Sequence, residues 1–238
     1  YGAAGSTAGF TAELAEAVES CGIASLAHVT CVSSDRESLT DYLASLKENG
    51  IENVLALRGD MPQGREPKRV YPHASDLAAE IKSMGDFCVG GACYPEVHPE
   101  SRNQAEDIQH LKEKVEAGCD FLTTQMFFDN NLLYNFLYKI RQAGIEVPVV
   151  PGIMPITNGN QVARAITLSG SLMPQRFKSL VDKFGDDPAA MKQAGIAYAT
   201  DQIIDLFANN VTNVHVYSMN KPEVAAQIQS SVSEIIGK

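Results

Sequence analysis

The sequence IENVLALRGD, residues 51–60, has the pattern of a buried strand with charged residues at its carboxyl end. Its apolar run, residues 54–57, begins shortly after a glycine and ends in charges, a pattern typical of a parallel strand covered on both faces. Ligands of parallel α/β folds bind at the carboxyl ends of strands, so Arg58 and Asp60 stand where chemistry usually occurs. The alternative for this triplet is a surface turn that carries a solvated ion pair.

The same order of amphipathic helix, glycine and apolar strand recurs along the chain. Four glycines stand where a helix would end ahead of a strand: Gly22, Gly50, Gly118 and Gly144. That position favours a residue in the left-handed conformation. Two more strands are predicted at residues 86–93 and 211–217. Six strands separated by helical segments, without strand-only hairpins, predict a parallel α/β sheet.

Such a sheet is either an open doubly wound sheet or a (β/α)8 barrel. The first strand is followed by neither GxGxxG nor GxxxxGK[ST], which weakens the nucleotide-binding open sheet. The sequence therefore predicts an α/β fold of the (β/α)8 TIM-barrel type. Six strands do not close this barrel, so its first two strands are expected before Tyr1, missing from this chain. Residues 1–238 are interpreted as a single domain, with residues 171–188 as an inserted excursion.

Composition and charge narrow the class of protein and of partner. The 238-residue chain has a formal net charge of −10 and a pI near 4.9, which argues against nucleic acid or an anionic membrane as the partner. No run suits a transmembrane helix, and no signal segment opens the chain. The five cysteines, an odd number without CxxC spacing, predict buried, reduced thiols in a cytoplasmic protein.

Polar side chains recur at the carboxyl ends of the predicted strands. They are Tyr1, His28, Thr30, Arg58, Asp60, Tyr94, Glu96, His98, Thr124, Gln125, Tyr217, Asn220 and Lys221. Taken alone, His28 would be a core histidine and His98 a surface one. Their recurrence at one register indicates a ligand site instead. Gln125 is the most informative, since a buried amide at a strand end needs partners and supplies bidentate recognition.

A metal ion is the main rival ligand for His28, Asp60, Glu96 and His98. A zinc or manganese site needs ligands that converge on one point, whereas Arg58 beside Asp60 favours an organic, partly anionic ligand and no metal. The next helix carries Asp107, His110 and Lys114 on one face. A cofactor's hydroxyls and phosphates would run along that face, and the alternative is a solvated helix face.

Seven motifs, taken in chain order, resemble methylenetetrahydrofolate reductase. They are YGA (1–3), HVTC (28–31), ALRGD (56–60), YPEVHPE (94–100), TQMFFD (124–129), PGIMPI (151–156) and YSMNKPE (217–223). The match runs over nearly the whole chain at consistent spacing, so it is far more specific than any one motif.

The resemblance implies a flavin-dependent (β/α)8 reductase with the redox chemistry left to the cofactor. A reduced nicotinamide, NADH or NADPH, would pass hydride to FAD, and the hydride would then reduce 5,10-methylenetetrahydrofolate to 5-methyltetrahydrofolate in ping-pong order. Members of this family are often homo-oligomers, and the resemblance implies the same here.

The resemblance also implies a role for individual positions. It implies FAD contacts at Tyr1, Ala3, His28, Arg58, Gly59, Asp60, Ala74, Tyr94, His98, Ser101, Asp107, His110 and Lys114. It implies substrate contacts at Asp60, Gln125, Gln161, Tyr217 and Lys221. Asp60 and Gln125 would be catalytic, and the negative charge of Asp60 would stabilise a cationic folate intermediate. Lys221 keeps the charge, but not the bidentate fork, of the arginine found in some members.

Departures from the family set out the competing hypotheses. The family's first strand carries an FEFFPP-like motif whose glutamate protonates the folate, and no such motif occurs here. Glu96 is a candidate acid by location only, and Ala165 stands where some relatives place a stacking phenylalanine. The alternative is therefore a catalytically incomplete flavin- or folate-binding remnant. Other barrel enzymes are disfavoured, since no strand lysine suits a Schiff-base aldolase and no glycine-rich phosphate turn follows the last two strands.

Overall fold

The computed structural model describes residues 9–59 and 70–236 of the chain. By its internal contacts the chain divides into two compact units. The first comprises Tyr1–Ala92 and Ile108–Leu122, and the second comprises Cys93–Asp107 and Thr123–Lys238. Within the described ranges, no helix has both the length and the apolar character to pass through a bilayer. The interpretation of residues 1–238 as one domain stays a prediction.

Helices and strands alternate as far as residue 150, as the repeated order in the sequence predicts, whereas three consecutive helices stand between the last two strands. Up to residue 124 they are α1 (Gly9–Ser20), β1 (Leu26–Thr30), α2 (Arg36–Glu48), β2 (Asn53–Leu57), α3 (Ala74–Met84), β3 (Cys88–Cys93), α4 (Gln104–Glu116) and β4 (Phe121–Thr124), with a 3₁₀ turn at Cys31–Ser33. Beyond it they are α5 (Asn130–Gln142), β5 (Val149–Val150), β6 (Gly152–Ile153), α6 (Gly159–Ser169), α7 (Gln175–Phe184), α8 (Pro188–Ala208), β7 (His215–Val216) and α9 (Pro222–Ser231).

Five strands form one sheet in the order β1-β2-β3-β4-β5, and β6 and β7 form a second. β1 and β2 pair in parallel, from Leu26 opposite Asn53 to Thr30 opposite Leu57, and β2 and β3 are also parallel. Neighbours in the sheet follow chain order, as successive βα units do in a (β/α)8 barrel. The α/β class is confirmed. Two further strands before Tyr1 stay a prediction, because Tyr1 lies outside the described residues.

Pro151 breaks the fifth predicted strand into two. Val149–Val150 belongs to the five-stranded sheet, whereas Gly152–Ile153 pairs in parallel with His215–Val216. A proline has no backbone N–H to donate to a ladder, so pairing on one side stops there. Its carbonyl still accepts a hydrogen bond from the N–H of His215 at 2.8 Å. Within residues 9–59 and 70–236, the six predicted strands are therefore seven.

The glycines predicted at the ends of four helices are confirmed, and side chains cap the starts of two helices. The four glycines Gly22, Gly50, Gly118 and Gly144 have φ angles of 75°, 73°, 114° and 82°, a region that side chains rarely adopt. At the start of α2, the carboxylate of Asp35 accepts the N–H of Ser38 at 2.9 Å, and Ser38 Oγ accepts the N–H of Asp35 at 3.1 Å. Asn158 caps α6 in a similar way.

All five cysteines lie in the described ranges, and all are free thiols. Cys31, Cys93 and Cys119 are buried and Cys88 is half-buried, as the sequence predicts. Burial raises the pKa of the Cys31 thiol to about 12 and that of Cys119 to about 11. Such thiols stay protonated and inert at neutral pH. Cys21, directly after α1, departs from the prediction because it is exposed.

The segment predicted as an excursion, residues 171–188, packs into the core of the second unit. Its helix α7 contributes Phe177, which is buried and stacks on Phe128 with ring centroids 4.9 Å apart. The Tyr198 hydroxyl of α8 donates a hydrogen bond to the Phe128 carbonyl at 2.6 Å. Aromatic contacts of this kind stabilise the fold beyond the effect of the apolar area that they bury. This segment is therefore part of the second unit, and no unit boundary falls within it.

Helix α8 approaches the PGIMPI segment at Gly195. A Cβ added to Gly195 would lie 1.8 Å from the carbonyl oxygen of Ile156 and 2.7 Å from its carbonyl carbon. Both neighbours are backbone atoms, which cannot turn aside as a side chain can. Gly195 therefore sets how closely α8 lies against the residues that follow β6.

Candidate functional site

In the first unit, the end of β2 lies against the end of β1. The N–H of Val32 donates to the carbonyl of Arg58 at 3.2 Å. Gly59 has a φ of 84°, and a Cβ there would lie 2.8 Å from Val32 Cγ2 and 2.9 Å from Thr30 Cβ. Only glycine fits this position. The predicted strand-end placement of Arg58 and Gly59 is confirmed, whereas Asp60 lies outside the described residues.

Lys114 is the second cation that the first unit brings to a strand end. Its Nζ donates to the carbonyl of Ala92, near the end of β3, at 2.6 Å. A Cβ on Gly91 would lie 2.8 Å from Lys114 Cδ, so this glycine makes room for the lysine stem. His110 of the same helix is exposed, and it does not share this placement.

The other cofactor-binding residues predicted in this part of the chain lie in a strand and at the start of a helix. His28 lies in β1 opposite Leu55 and is half-buried. Ala74 is the first residue of α3, which begins after His73. Tyr1 and Ala3 lie outside the described residues, so their predicted roles have no structural counterpart here.

In the second unit, the loop after β3 brings four predicted residues together. The rings of Tyr94 and His98 meet edge to face with centroids 4.6 Å apart. Asp107, in the first turn of α4, accepts the backbone N–H of His98 at 3.3 Å and the Ser101 hydroxyl at 3.0 Å. A carboxylate also suits a helix amino terminus electrostatically. This carboxylate therefore ties down its own loop and does not simply face solvent beside His110.

The same loop holds backbone strain and orients an imidazole. Val97 has a φ of 84°, a genuine outlier for a β-branched residue. Strain of this kind costs roughly 1–3 kcal/mol and concentrates at ligand sites. The Nδ1 atom of His98 accepts the N–H of Glu100 at 3.1 Å, so Nε2 carries the proton of the neutral ring.

Three strand ends of the second unit meet around Thr124. Its Oγ1 accepts the N–H of Gly152 at 2.8 Å, and its carbonyl accepts the hydroxyl of Tyr217 at 3.0 Å. Burial, together with the smaller effects of nearby Cys93 and Tyr94, raises the pKa of Tyr217 to about 12. Tyr217 therefore remains a hydrogen-bond donor across the physiological range.

Gly152 makes room for the Tyr217 ring, and this contact gives a prediction. A Cβ at Gly152 would lie 2.5 Å from the Thr124 carbonyl oxygen and 2.7 Å from Tyr217 Cε2. We expect Gly152→Ala to lower the free energy of unfolding by about 2 kcal/mol, since overpacking of this kind typically costs that much. Chemical denaturation would measure the loss.

The control for that experiment is Tyr217→Phe, which keeps the ring and removes only the hydroxyl. Loss of its hydrogen bond should cost about 1 kcal/mol. A Gly152→Ala protein as stable as the parent would contradict the close contact between these strand ends.

Gln125 follows β4 and is held by backbone groups. Its N–H donates to the carbonyl of Cys93 at 2.8 Å, and its side-chain oxygen accepts the N–H of Met126 at 2.9 Å. The side-chain oxygen is thus engaged within the protein, and the NH₂ group remains as the donor of this side chain. Gln161 lies half-buried in the first turn of α6, and its N–H donates to Asn158.

Lys221 is anchored by a partner that sequence reasoning missed. Its Nζ donates to Thr157 Oγ1 at 2.9 Å. The preceding turn has Met219 and Asn220 at φ angles of 50° and 57° and closes with a hydrogen bond from the Lys221 N–H to the Ser218 carbonyl at 2.9 Å. Methionine rarely adopts this conformation. The sequence could have pointed to Thr157 because this residue directly follows PGIMPI, beyond the carboxyl end of β6.

Within residues 9–59 and 70–236, no three histidine, cysteine, aspartate or glutamate side chains come close enough to hold a metal ion. His28 belongs to the first unit and Glu96 to the second. Asp60, the third member of the rival ligand set, is not among the described residues. The expectation of an organic ligand without a metal stays a prediction.

Comparisons with known proteins agree across the chain. The model of the family described as methylenetetrahydrofolate reductase matches residues 1–233. The 5,10-methylenetetrahydrofolate reductase of Pectobacterium carotovorum subsp. carotovorum is 34% identical over 210 residues, which cover 88% of this chain and 70% of that protein. Methylenetetrahydrofolate reductase (NADH) 1 of Arabidopsis thaliana is 34% identical over 245 residues, which cover 96% of this chain and 41% of that protein. The chain thus spans less than half the length of the plant relative.

A solved structure has a similar fold. It is described as an uncharacterized protein from Clostridium thermocellum that binds two copies of 5-methyl-5,6,7,8-tetrahydrofolic acid, and it aligns with a TM-score of 0.52 at 12% identity. The alignment covers 88% of this chain and 94% of that one. At this identity the likeness concerns the fold alone.

Proposed function

The chain belongs to the methylenetetrahydrofolate reductase family, and on that premise we propose that it reduces 5,10-methylenetetrahydrofolate to 5-methyltetrahydrofolate with NADH or NADPH. The observation that carries the proposal is the family match over residues 1–233. FAD, when bound, would supply the hydride transfer between the two substrates.

Residues of the first unit suit the anionic part of FAD. Arg58 and Lys114 are cations near the ends of β2 and β3, and such groups favour phosphate oxygens. Gly59 leaves room for Thr30 and Val32, which fill the space that its Cβ would occupy, so the end of β2 packs closely beside the end of β1. We propose FAD contacts in this unit at His28, Arg58, Gly59, Asp60, Ala74, His110 and Lys114, and also at Tyr1 and Ala3.

The loop after β3 suits a polar part of the same cofactor. Asp107 holds the backbone of His98 and the hydroxyl of Ser101 in place, so these groups lose little further freedom on binding. Tyr94 presents a ring already oriented by His98. We propose FAD contacts in this unit at Tyr94, His98, Ser101 and Asp107.

The strand ends around Thr124 suit the folate. Tyr217 stays protonated and fixed by the Thr124 carbonyl, and Gln125 has its amide oxygen engaged by Met126. We propose that Gln125, Gln161 and Tyr217 contact the folate, and that Lys221 binds an anionic part of it after leaving Thr157. Asp60 would contact both FAD and folate.

Two broader proposals concern the compartment and the assembly of the protein. Sheltered thiols favour a reducing compartment, which supports a cytoplasmic location. The resemblance to the family supports a homo-oligomer.

The test of the proposed function is the visible absorbance spectrum of the purified protein. We expect oxidised-flavin bands in near-stoichiometric amount, since Arg58 and Lys114 supply charges suited to the phosphates of FAD. The Lys114→Met variant, which keeps the stem and removes the charge, should hold less flavin. Assays with NADH and NADPH would then identify the donor.

A protein that stays colourless after incubation with FAD would contradict the proposal. A flavin-loaded protein that binds 5-methyltetrahydrofolate without turnover would support the alternative of a binding remnant.

A further inference from the structure

Glu96 is a half-buried carboxylate that the proposed reaction does not use. It lies in the loop after β3, between Tyr94 and His98. Its Oε2 atom accepts the backbone N–H of Leu172 at 2.6 Å. Its Oε1 atom is buried and has no hydrogen-bond partner among the residues the structure describes. The pKa of this carboxyl is raised, mainly by burial. The hydrogen bond from the Leu172 N–H acts against this rise, and the charge of nearby Asp129 adds to it.

The segment that Glu96 contacts, Gly170–Met173 between α6 and α7, is held at a second point. The hydroxyl of Ser171, which is buried, donates to the carbonyl of Met126 at 2.7 Å. The next side chain, Leu172, is 65% exposed. The segment is therefore fastened by polar ties from the loop after β3 and from the residues after β4. Met173, at the end of the segment, is partly buried against the core of the second unit, so the ties act beside an apolar anchor.

These ties set the carboxyl end of α6. Gly170, in the left-handed conformation with a φ of 69°, ends that helix, and its N–H donates to Ile166 at 2.9 Å. At the other end of α6, Asn158 caps the helix. Since Gln161 lies on α6, the position of its side chain depends on both anchors. Met126, which accepts from Ser171, is bonded to the side chain of Gln125.

A glutamate is a costly choice for this tie. A glutamine could accept one backbone N–H with its amide oxygen, without placing a charge where one oxygen is buried and unpaired. Charge-assisted hydrogen bonds are about twice as strong as neutral ones. The carboxylate therefore lowers the stability of the fold somewhat, but it makes a stronger hydrogen bond to the Leu172 N–H than an amide would.

We propose that Glu96 is a positioning residue, which fastens Gly170–Met173 and thereby orients α6 and Gln161 for the folate. The proposal rests on the proposed function, because it names the folate as the ligand. It links the loop assigned to FAD with the two glutamines assigned to folate, all within the second unit.

The first experiment measures amide hydrogen exchange of the full chain. In Glu96→Ala we expect the exchange of the Leu172 amide to rise at least about 10-fold, because an amide without its acceptor opens more readily. The rise should be confined to residues 166–173. Glu96→Gln should raise it less, by about 3-fold, since its amide oxygen accepts the same N–H without the charge that strengthens the bond. Glu48→Ala, an exposed glutamate of α2, is the control.

The second experiment titrates the flavin-loaded proteins with 5-methyltetrahydrofolate. We expect Glu96→Ala to bind it about 10-fold more weakly with unchanged flavin content, and Glu96→Gln to restore most of the affinity. A merely structural role would lower stability throughout the second unit and would not separate folate affinity from flavin content.

The outcomes separate the two proposals. Unchanged exchange at Leu172 in Glu96→Ala would show that the tie is absent, and the inference would fail. Faster exchange with unchanged folate affinity would leave the tie but refute the positioning role. If the parent protein binds no 5-methyltetrahydrofolate, the proposed function fails and the positioning role fails with it, while the exchange data still report on the tie.

Discussion

Gly195→Ala is expected to destabilise the protein by roughly 3 kcal/mol, at the upper end of the cost of overpacking. In an ordinary helix the same change would stabilise by about 1 kcal/mol, since alanine is the better helix former. The sign is reversed here because the new Cβ would lie 1.8 Å from the Ile156 carbonyl oxygen, where real Cβ atoms essentially never come under 3.0 Å. Helix α8 and the PGIMPI segment would have to separate. Denaturant unfolding would measure the loss.

Separation of α8 from the PGIMPI segment should also shift residues of the candidate site. Thr157 directly follows Ile156 and accepts the hydrogen bond from Lys221, so a shifted segment would displace that lysine. Gly144→Ala is the matched control, because its Cβ would have no neighbour within 4 Å while φ is 82°. It should cost only about 1 kcal/mol from the left-handed backbone. A Gly195→Ala protein more stable than the parent would refute the close packing of α8.

Asp60→Asn is expected to slow the reduction of 5,10-methylenetetrahydrofolate by about 100-fold, the scale of a lost transition-state contact. Oxidation of the nicotinamide should change far less. The amide keeps the shape of the side chain and removes the charge, and only the folate step develops a cation that this charge would stabilise. Single-turnover kinetics, with each substrate mixed separately, would compare the two steps.

Flavin content should be unaffected in that variant, and Asp41→Asn, on the exposed face of α2, should leave both steps unchanged. Equal slowing of the two steps would remove the role given to Asp60. The residue before Asp60 is restrained in the structure, since Gly59 fits its position only without a side chain.

Local patterns in the sequence predicted most of the fold. The apolar run at residues 54–57 became the strand Asn53–Leu57, and Gly50 before it took the left-handed conformation. These features depend on residues close in sequence, where hydrophobic period and backbone preference suffice. The break at Pro151 was visible as a residue type, yet its consequence depended on which partner β6 would find.

The candidate site was predictable in its residues and not in its contacts. Arg58, Tyr94 and Gln125 lie at strand ends as expected. Asp107 was placed on a cofactor-facing helix surface, and the structure turns its carboxylate to Ser101 and the His98 backbone instead. The ties of Lys221 and Glu96 join residues far apart in the chain, and no spacing rule in a single sequence reports such pairs.

The cysteine thiols differ in solvent exposure, and this difference has a practical consequence. Cys21 is the exposed thiol, whereas burial holds Cys31 and Cys119 in their unreactive protonated form. A maleimide dye added in limiting amount at neutral pH should therefore attach first to Cys21, just beyond α1. The natural sequence thus carries its own labelling handle, distant in sequence from every residue assigned to the folate, for fluorescence or surface immobilisation.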